Sequence, residues 1–492
     1  MRETLFTQRE ESAMCDPNIT WSFSRRDFLK IGTGAAVMAS GIHPQNGNGV
    51  QTRSPEMDVN ALTKDIADDL IREGIRMAVE KTLEPAAPQK AYPGHFMVTA
   101  DGGAFGTENT WPGLDSWEMA GAYLLLGKER LVLDYFDFVH ASQRKDGNIP
   151  FAIFPGETTP PAMDSYLRGL HYPEDVYTYK PGVREGQVTF SNTSARKWIG
   201  LFRHWQLEVN PLSVLAPICY ILTAFEIVER AGSEVWLHEK IDSVEAAGKY
   251  LLSRKSPNGL LSGAGFYIEC PPRNQWDGVT QCYCIRALRL LSEMQARAGN
   301  EEKARYWVAQ AELLAETFRD IFWQLDHFAE YVHPDRGVVD FHGLSDVNWA
   351  AVGLDVATAE QTQALWPLLL SDKHLWHGDM PTQLVSKPYA YRDWELNEPL
   401  PWERDSGPLY DVAAMGRVWY LEALACLKRG ETDRLRESVR KVCRMGERHD
   451  WLWYERYHPL QVWDVYPAGP QGYCEYAAVL VRIVLGNPEV FC

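Results

Sequence analysis

The sequence has no surplus of positive charge, no apolar run long enough to cross a bilayer, no paired Cys-x-x-Cys and no low-complexity tract. Each absence removes a class of function. A formal net charge of −17 rules against nucleic acid or an anionic lipid surface as partner, because either needs a dense basic face. A permanent membrane anchor takes ~20 apolar residues, and the weakly apolar run from Ile31 to Ile42 is too short. The nine cysteines include Cys282 and Cys284 but show no zinc-ligand spacing. Cys219, Cys426 and Cys443 fall inside apolar helical runs, where a thiol behaves as a small hydrophobe, so reduced, buried thiols are expected. His374 and His377 flank Trp376 with no further ligand at a usable spacing. Neither a metal nor another cofactor is expected, and a neutral ligand suits the charge balance better than a charged one.

The ordinary globular composition, 45% hydrophobic and 23% charged over 492 residues, leaves room for a large core. Near the N-terminus, Ser24-Arg25-Arg26-Asp27-Phe28-Leu29-Lys30 runs into the Gly- and Ala-rich segment Ile31 to Ile42. This is the twin-arginine export pattern. It predicts a signal peptide over residues 1–43, a polar linker over 44–57, one catalytic domain over 58–492, and a periplasmic or secreted protein with no membrane contact once the signal is removed.

From residue 58 onward the periodicity reads as helix after helix. Ile66, Leu70, Ile71, Gly74 and Met77 mark one face of the first. Met119 to Leu126 pairs with Leu131 to Val139, and Leu212 to Val228 is apolar almost all round, as a helix packed on every side must be. Pro217 inside it predicts a kink. Val235 to Leu252 is amphipathic. Val279 to Met294 is answered by Glu302 to Phe322, where Trp307, Ala311, Leu314, Phe318, Ile321 and Phe322 form a stripe. Val347 to Leu354 pairs with Ala359 to Leu370, and Leu409 to Leu427 with Thr432 to Met445, before the last helix, Gly472 to Leu485. Strand-like alternation is confined to short pieces near Val188 to Ser191 and Gly337 to Phe341. About twelve helices, alternately apolar and amphipathic, predict an all-α fold: six hairpins in a double ring, an (α/α)6 barrel. A helical solenoid would need a sequence repeat, and none is visible. The non-helical stretches 150–196 and 376–404 become rim loops, where sites usually lie.

Two places put a carboxyl among aromatic rings. Asn274-Gln275-Trp276-Asp277-Gly278 stands where a loop becomes a helix, and Glu455 lies within Trp451-Leu452-Trp453-Tyr454-Glu455-Arg456-Tyr457-His458-Pro459. The chain carries 18 Trp, 22 Tyr and 18 Phe, more than packing requires, and aromatic faces stack on the apolar CH faces of sugar rings. A carboxyl beside an indole is desolvated, which raises its pKa toward working pH. Cleavage of a glycoside by inversion needs such an acid facing a carboxylate base, with the two roughly 6.5–9.5 Å apart. Asp277 and Glu455, far apart in the chain, meet only if the ring closes. The competing reading of Asp277 is a helix N-cap worth ~1 kcal/mol, with Asp115 as the substitute acid; that of Glu455 is an ion pair with Arg456 or another arginine. Glu118, one turn into its helix, is the poorer candidate. Arg203, His204, Trp205 and Gln206 precede one apolar helix, Trp402, Arg404 and Asp405 another, and Asp346 a third. Each is read as lining the mouth or else as capping and loop packing.

Three segments in order carry a resemblance: Asn109-Thr110-Trp111-Pro112-Gly113-Leu114-Asp115-Ser116-Trp117; Gln275-Trp276-Asp277-Gly278, whose helix ends in Ala298-Gly299; and Tyr454-Glu455-Arg456-Tyr457-His458-Pro459, followed by Gly472-Tyr473 and Tyr476-Ala477-Ala478. The chain resembles the six-hairpin glycosidases, which include glucoamylases, the processing α-glucosidase and mannosylglycerate hydrolase group, trehalases and α-L-rhamnosidases. The resemblance implies an (α/α)6 barrel acting on an oligosaccharide or small glycoside. Asp277 would protonate the leaving oxygen, Glu455 would activate water, and Asp115 with Trp111 would bind the sugar. Trp276, Trp453, Tyr454 and Tyr457 would wall the pocket. Asp277 departs from the glutamate usual at the acid position. Two other readings stay open. One is a polysaccharide lyase on the same barrel using Tyr454, Tyr457 and His458; the other is a catalytically silent sugar-binding protein.

Overall fold

Among the described residues, twelve helices of eight residues or more alternate between two environments. They are α1 (Asp69–Ala78), α2 (Leu114–Leu125), α3 (Glu129–His140), α4 (Leu215–Ala231), α5 (Glu234–Ser253), α6 (Gly278–Arg297), α7 (Glu301–Phe322), α8 (Asp346–Gly353), α9 (Ala359–Ser371), α10 (Gly416–Arg429), α11 (Thr432–Arg448) and α12 (Cys474–Leu485). The computed structural model describes residues 58–87, 96–100, 110–150, 152–155, 188–192, 197–204, 214–232, 234–262, 276–376, 380–387, 392, 413–459 and 465–492, all within the unit Ile42–Cys492. The twin-arginine segment and its linker lie outside these residues. No helix among them is long and apolar enough to cross a membrane.

The even-numbered helices are buried on nearly every face. In α12 every residue from Cys474 to Val484 is buried, and in α8 all eight are. The odd-numbered helices bury one stripe. In α7 it is Ala304, Trp307, Ala311, Leu314, Ala315, Phe318 and Phe322, the predicted face, with Ile321 left at its edge. Apolar periodicity thus sorts the helices into an inner and an outer set. The inner set closes on itself: α2 packs on α4, α4 on α6, α6 on α8, α8 on α10, α10 on α12, and α12 back on α2. This is the predicted double ring of six hairpins, an (α/α)6 barrel.

Short connections turn each inner helix except the last, α12, into the outer helix that follows it. Gly430, at φ 73°, ends α10 in the left-handed conformation that glycine adopts without cost, and α11 starts two residues later. Consecutive helices are therefore antiparallel, and all six inner helices run the same way. Their N-termini gather at one end of the ring, where the long entry loops arrive. Strand pairs stitch these loops together. β4 (Trp276–Asp277), entering α6, pairs with β5 (Tyr331–His333), which pairs with β6 (Gly337–Val339). Isolated bridges join Ser345 to Val385, Gln383 to Ala414, Ala414 to Tyr457, and Thr99 to Tyr473. The collar so formed links the entries of α6, α8, α10, α12 and α2. The entry to α4 carries a three-stranded sheet in the order Ala152–Pro155, Lys197–His204, Val188–Asn192. A β-hairpin, Tyr454–Pro459 paired with Val465–Gln471, precedes α12.

Several expectations are corrected. Strands are more numerous than the alternation implied, because in the collar pairing is imposed by the converging loops and the side chains need not alternate. Pro217 falls in the first turn of α4, where its missing N–H leaves no intrahelical bond unmade, so it opens the helix instead of interrupting it. The helix expected from Leu409 begins at Gly416, after the extended Met415. Among the described residues, six cysteines are buried and in no disulfide, and Cys492 is exposed.

The seam between first and last inner helices is held by Arg482 of α12. Its Nη1 donates to the carbonyls of Trp117 at 3.0 Å and Glu118 at 3.4 Å, and its guanidinium lies 4.6 Å from the Trp117 ring centroid. It also pairs with Glu226 of α4 and bonds the Tyr420 hydroxyl of α10. Removing one member of a buried pair strands the other. Arg482→Met is expected to destabilise the fold by about 3–5 kcal/mol in urea denaturation, with most of the loss recovered in Arg482→Met/Glu226→Leu.

Candidate active site

Four acids occupy the N-terminal ends of inner helices, where the positive end of the helix dipole favours carboxylates. Asp115 is in the first turn of α2, Asp277 is the N-cap of α6, Asp346 opens α8 and Glu475 is in the first turn of α12. In a ring of six, the entries to α6 and α12 are diametrically opposed. Asp277 and Glu455, which lies in the hairpin before α12, therefore stand at the same end of the barrel on facing sides.

Their surroundings differ. Asp277 is 1% exposed. Its Oδ2 accepts from the Thr280 backbone N–H at 2.8 Å and the Thr280 hydroxyl at 2.7 Å, so the cap weighed from the sequence is present. Trp276 beside it is half-buried and donates from Nε1 to the Ser256 hydroxyl at 3.1 Å. Glu455 is 8% exposed and sits at a β-bulge, where Tyr454 faces Gln471 but Arg456 faces Ala468. Such bulges re-aim a side chain out of the ladder. Here the carboxylate is turned over Gly469, at φ 77°, where a Cβ would collide with it. The ion pair with Arg456 weighed from the sequence is present but long: Arg456 Nη2 stands 3.9 Å from Glu455 Oε2, within ion-pair reach and too far for a hydrogen bond.

Asp115 belongs to a network that joins the first helix to the last. Its side chain is 18% exposed. Its Oδ1 accepts from the Tyr473 hydroxyl at 2.8 Å and from Arg417 Nη2 at 3.2 Å. Arg417, at the start of α10, also donates from Nε and Nη2 to Glu475 Oε2, at 2.9 and 2.5 Å, and its backbone N–H bonds Oε1. Burial and the Asp115 carboxylate push the Tyr473 phenol well above its usual range, and Glu455 adds to the same push. Tyr473 therefore remains a donor between the two acids. A carboxylate fed by a phenol and a guanidinium is an acceptor, suited to the hydroxyls of a polyol. Carboxyl oxygens of Asp115, Glu118 and Glu475 lie within 4.8 Å of one another, an oxygen-only set of the kind a hard cation takes. Arg417 already holds the cationic position there, bonded to two of the three.

The aromatic wall expected around Glu455 is largely structural. Trp453 is fully buried and donates from Nε1 to the Val442 carbonyl at 2.9 Å. Tyr457 is fully buried, its hydroxyl accepting the Tyr454 N–H at 3.1 Å. Both anchor the hairpin against α11 and α12 instead of facing a hollow, because their large apolar faces are what the collar needs to seat on the ring. Tyr454 and Trp111 are half-buried, and the Trp111 carbonyl accepts from Ser116 Oγ at 2.6 Å. His458 is buried as well, so Tyr457 and His458 are enclosed, which weakens the lyase reading. Asp346 is fully buried, with Oδ1 on the Val347 N–H at 3.0 Å, and burial raises its carboxyl well above the usual range. Trp205, Gln206, Trp402, Arg404, Asp405 and His377 lie outside the described residues, as do the side chains of Arg203 and His204.

Arg417, Tyr473 and Glu475 were not singled out from the sequence, and Glu118 was set aside. One signal was available: a lone charge within an otherwise apolar helical run needs a buried partner.

The fold is a barrel of six helical hairpins, an (α/α)6 ring. No family model and no curated protein matches the sequence, whereas solved structures match its fold. They include a GH78 family rhamnosidase of Bacillus sp. GL1, at 16% identity and a TM-score of 0.54, aligned over 86% of this chain and 35% of that one. A bacterial glucoamylase complexed with acarbose matches at 12% identity and 0.53, over 86% and 56%. The GH63 mannosylglycerate hydrolase from Thermus thermophilus, in complex with glucose, matches at 11% and 0.53, over 84% and 99%. The chain thus spans about a third of the rhamnosidase, over half of the glucoamylase and nearly all of the Thermus hydrolase.

The placement of Glu455 is testable without a substrate. Gly430 and Gly469 both have positive φ, but a Cβ at Gly430 meets nothing within 4 Å. Gly430→Ala is expected to cost about 1 kcal/mol of backbone strain. Gly469→Ala, which adds a collision with the Glu455 carboxylate, is expected to cost at least ~1 kcal/mol more in chemical denaturation.

Proposed function

We propose that this chain is an exported glycoside hydrolase that cleaves an oligosaccharide or small glycoside with inversion. The reading is carried by one observation: Glu455 and Asp277 stand at the same end of the ring on facing sides, next to a hydroxyl-accepting network centred on Asp115. Glu455 is the general base, turned out of its strand by the bulge. Asp115 holds sugar hydroxyls, oriented by Tyr473 and Arg417, with Trp111 beside it. Asp277 is the proton donor. Its cap bonds engage Oδ2, and apo geometry of this kind tightens or rearranges when substrate binds. The folds matched are those of hydrolases described with rhamnose, acarbose or glucose bound, which supports a sugar ligand. The twin-arginine pattern supports export to the periplasm or medium, and no cofactor enters the mechanism.

The two carboxyls are tested on aryl glycosides and oligosaccharides. Glu455→Gln is expected to lower kcat by about 10²–10⁴-fold, the usual contribution of a general acid or base. Asn caps a helix as well as Asp does, so Asp277→Asn separates the two roles of that residue. The proposal expects a kcat loss of similar size with the melting temperature unchanged. Unaltered kcat would reduce Asp277 to a cap and remove it from the mechanism. For export, Arg25→Lys/Arg26→Lys is expected to retain the protein in the cytoplasm on cell fractionation.

A further inference from the structure

Glu118, one turn beyond Asp115 on α2, is fully buried, and neither oxygen of its carboxyl meets a hydrogen-bond donor. The groups near it explain why. Asp115 on its own helix and Glu475 on α12 approach it, but ionised carboxylates only accept and cannot satisfy one another. Arg417 from α10 is spent on Glu475 and Asp115. Arg482, also on α12, gives its N–H groups to Glu226, the Tyr420 hydroxyl and the Trp117 and Glu118 carbonyls. The remaining titratable neighbours, the buried Tyr283 of α6 and Cys219 of α4 and the partly buried Tyr420, are held above their ordinary values by desolvation. They bring no positive charge. Arg417 and Arg482 thus act on Glu118 only through space, and in a dry interior a carboxyl that no donor reaches is not held ionised.

We propose that Glu118 is a neutral carboxylic acid, a positioning residue that donates its O–H to Glu475 and so keeps the Glu475–Arg417–Asp115 line aimed at the sugar. This rests on the reading of Asp115 as the sugar's acceptor. Burial, then the nearness of Glu475, drives the Glu118 carboxyl well above the usual range. Burial acts on Glu475 as well, but there the three bonds from Arg417 oppose it, so the proton belongs to Glu118. Were Glu118 ionised, Arg417 would be drawn toward it and its arm on Asp115 given up.

The test compares the full chain with Glu118→Gln, which fixes the neutral state. A carboxyl with a raised folded pKa keeps a proton that the unfolded chain has released, so stability falls as pH climbs above the ordinary value of 4.5. The unfolding constant of the wild type is expected to rise relative to that of Glu118→Gln by up to about tenfold per pH unit, the effect of one proton. Parallel curves would overturn the proposal. So would the failure of both Glu118→Gln and Glu118→Met to fold, since a neutral acid tolerates neutral replacements. Stabilisation of the wild type but not of Glu118→Gln by calcium or magnesium chloride would overturn it too, by showing three ionised carboxylates around a metal. Where turnover is measured, the wild-type KM is expected to rise on the alkaline side while that of Glu118→Gln stays level. A proton signature in stability without any turnover would sink the hydrolase reading and leave the protonation of Glu118 standing.

Discussion

The contact of α12 with α2 is the constraint on which the molecule depends. It brings the last inner helix against the first and turns a row of hairpins into a ring. Asp115 and Arg417, 302 positions apart, become hydrogen-bond partners through it, as do Asp115 and Tyr473, 358 apart. Loop closure over such distances costs entropy that local structure cannot offset, so the burial of whole inner helices must drive it. Arg482 marks the same seam, bonded to backbone of α2 and paired with α4 across the interior. A ring closed in this way has two unlike ends. Short turns occupy one, and the other collects six helix N-termini and, among the described residues, the strand pairs that enter them.

That asymmetry decides where chemistry can happen. Positive helix ends favour carboxylates, and acids duly stand at the starts of α2, α6, α8 and α12. Burying them without cations would be ruinous, and the structure answers differently at each. Asp277 accepts the bonds of its own helix cap, and burial raises the Asp346 carboxyl well above its usual range. Glu475 and Asp115 share Arg417, while Glu118 is left with a proton as its remedy. Glu455 is held apart from all of these by a bulge and keeps a small opening to solvent. The differences among these environments are what allow chemically identical groups to take unlike roles.

The ring was legible in the sequence because its cause is local. A helix that is apolar all round must be inside, and one with a single stripe must cover it, so α4 and α7 declared their places. Motif order draws attention to Asp115, Asp277 and Glu455, and all three stand at the end of the ring where inner helices start. The collar was not, since its strands pair through loop convergence and leave no alternation to read. Nor could aromatic content tell a wall from an anchor: Trp453 and Tyr457 have the residue types of a sugar platform and the burial of core. The network beneath Asp115 escaped because Arg417 and Glu475 lie in separate apolar helices, each looking like an isolated charge until the ring closes.

The central claim is that one end of this ring holds two carboxyls acting on opposite faces of a sugar. Proton NMR of the first-formed product from a cleaved glycoside tests it most directly. The account predicts an anomer opposite in configuration to the substrate, appearing before mutarotation. A first product that retains the substrate's configuration, or one that carries an unsaturated uronate, would contradict it.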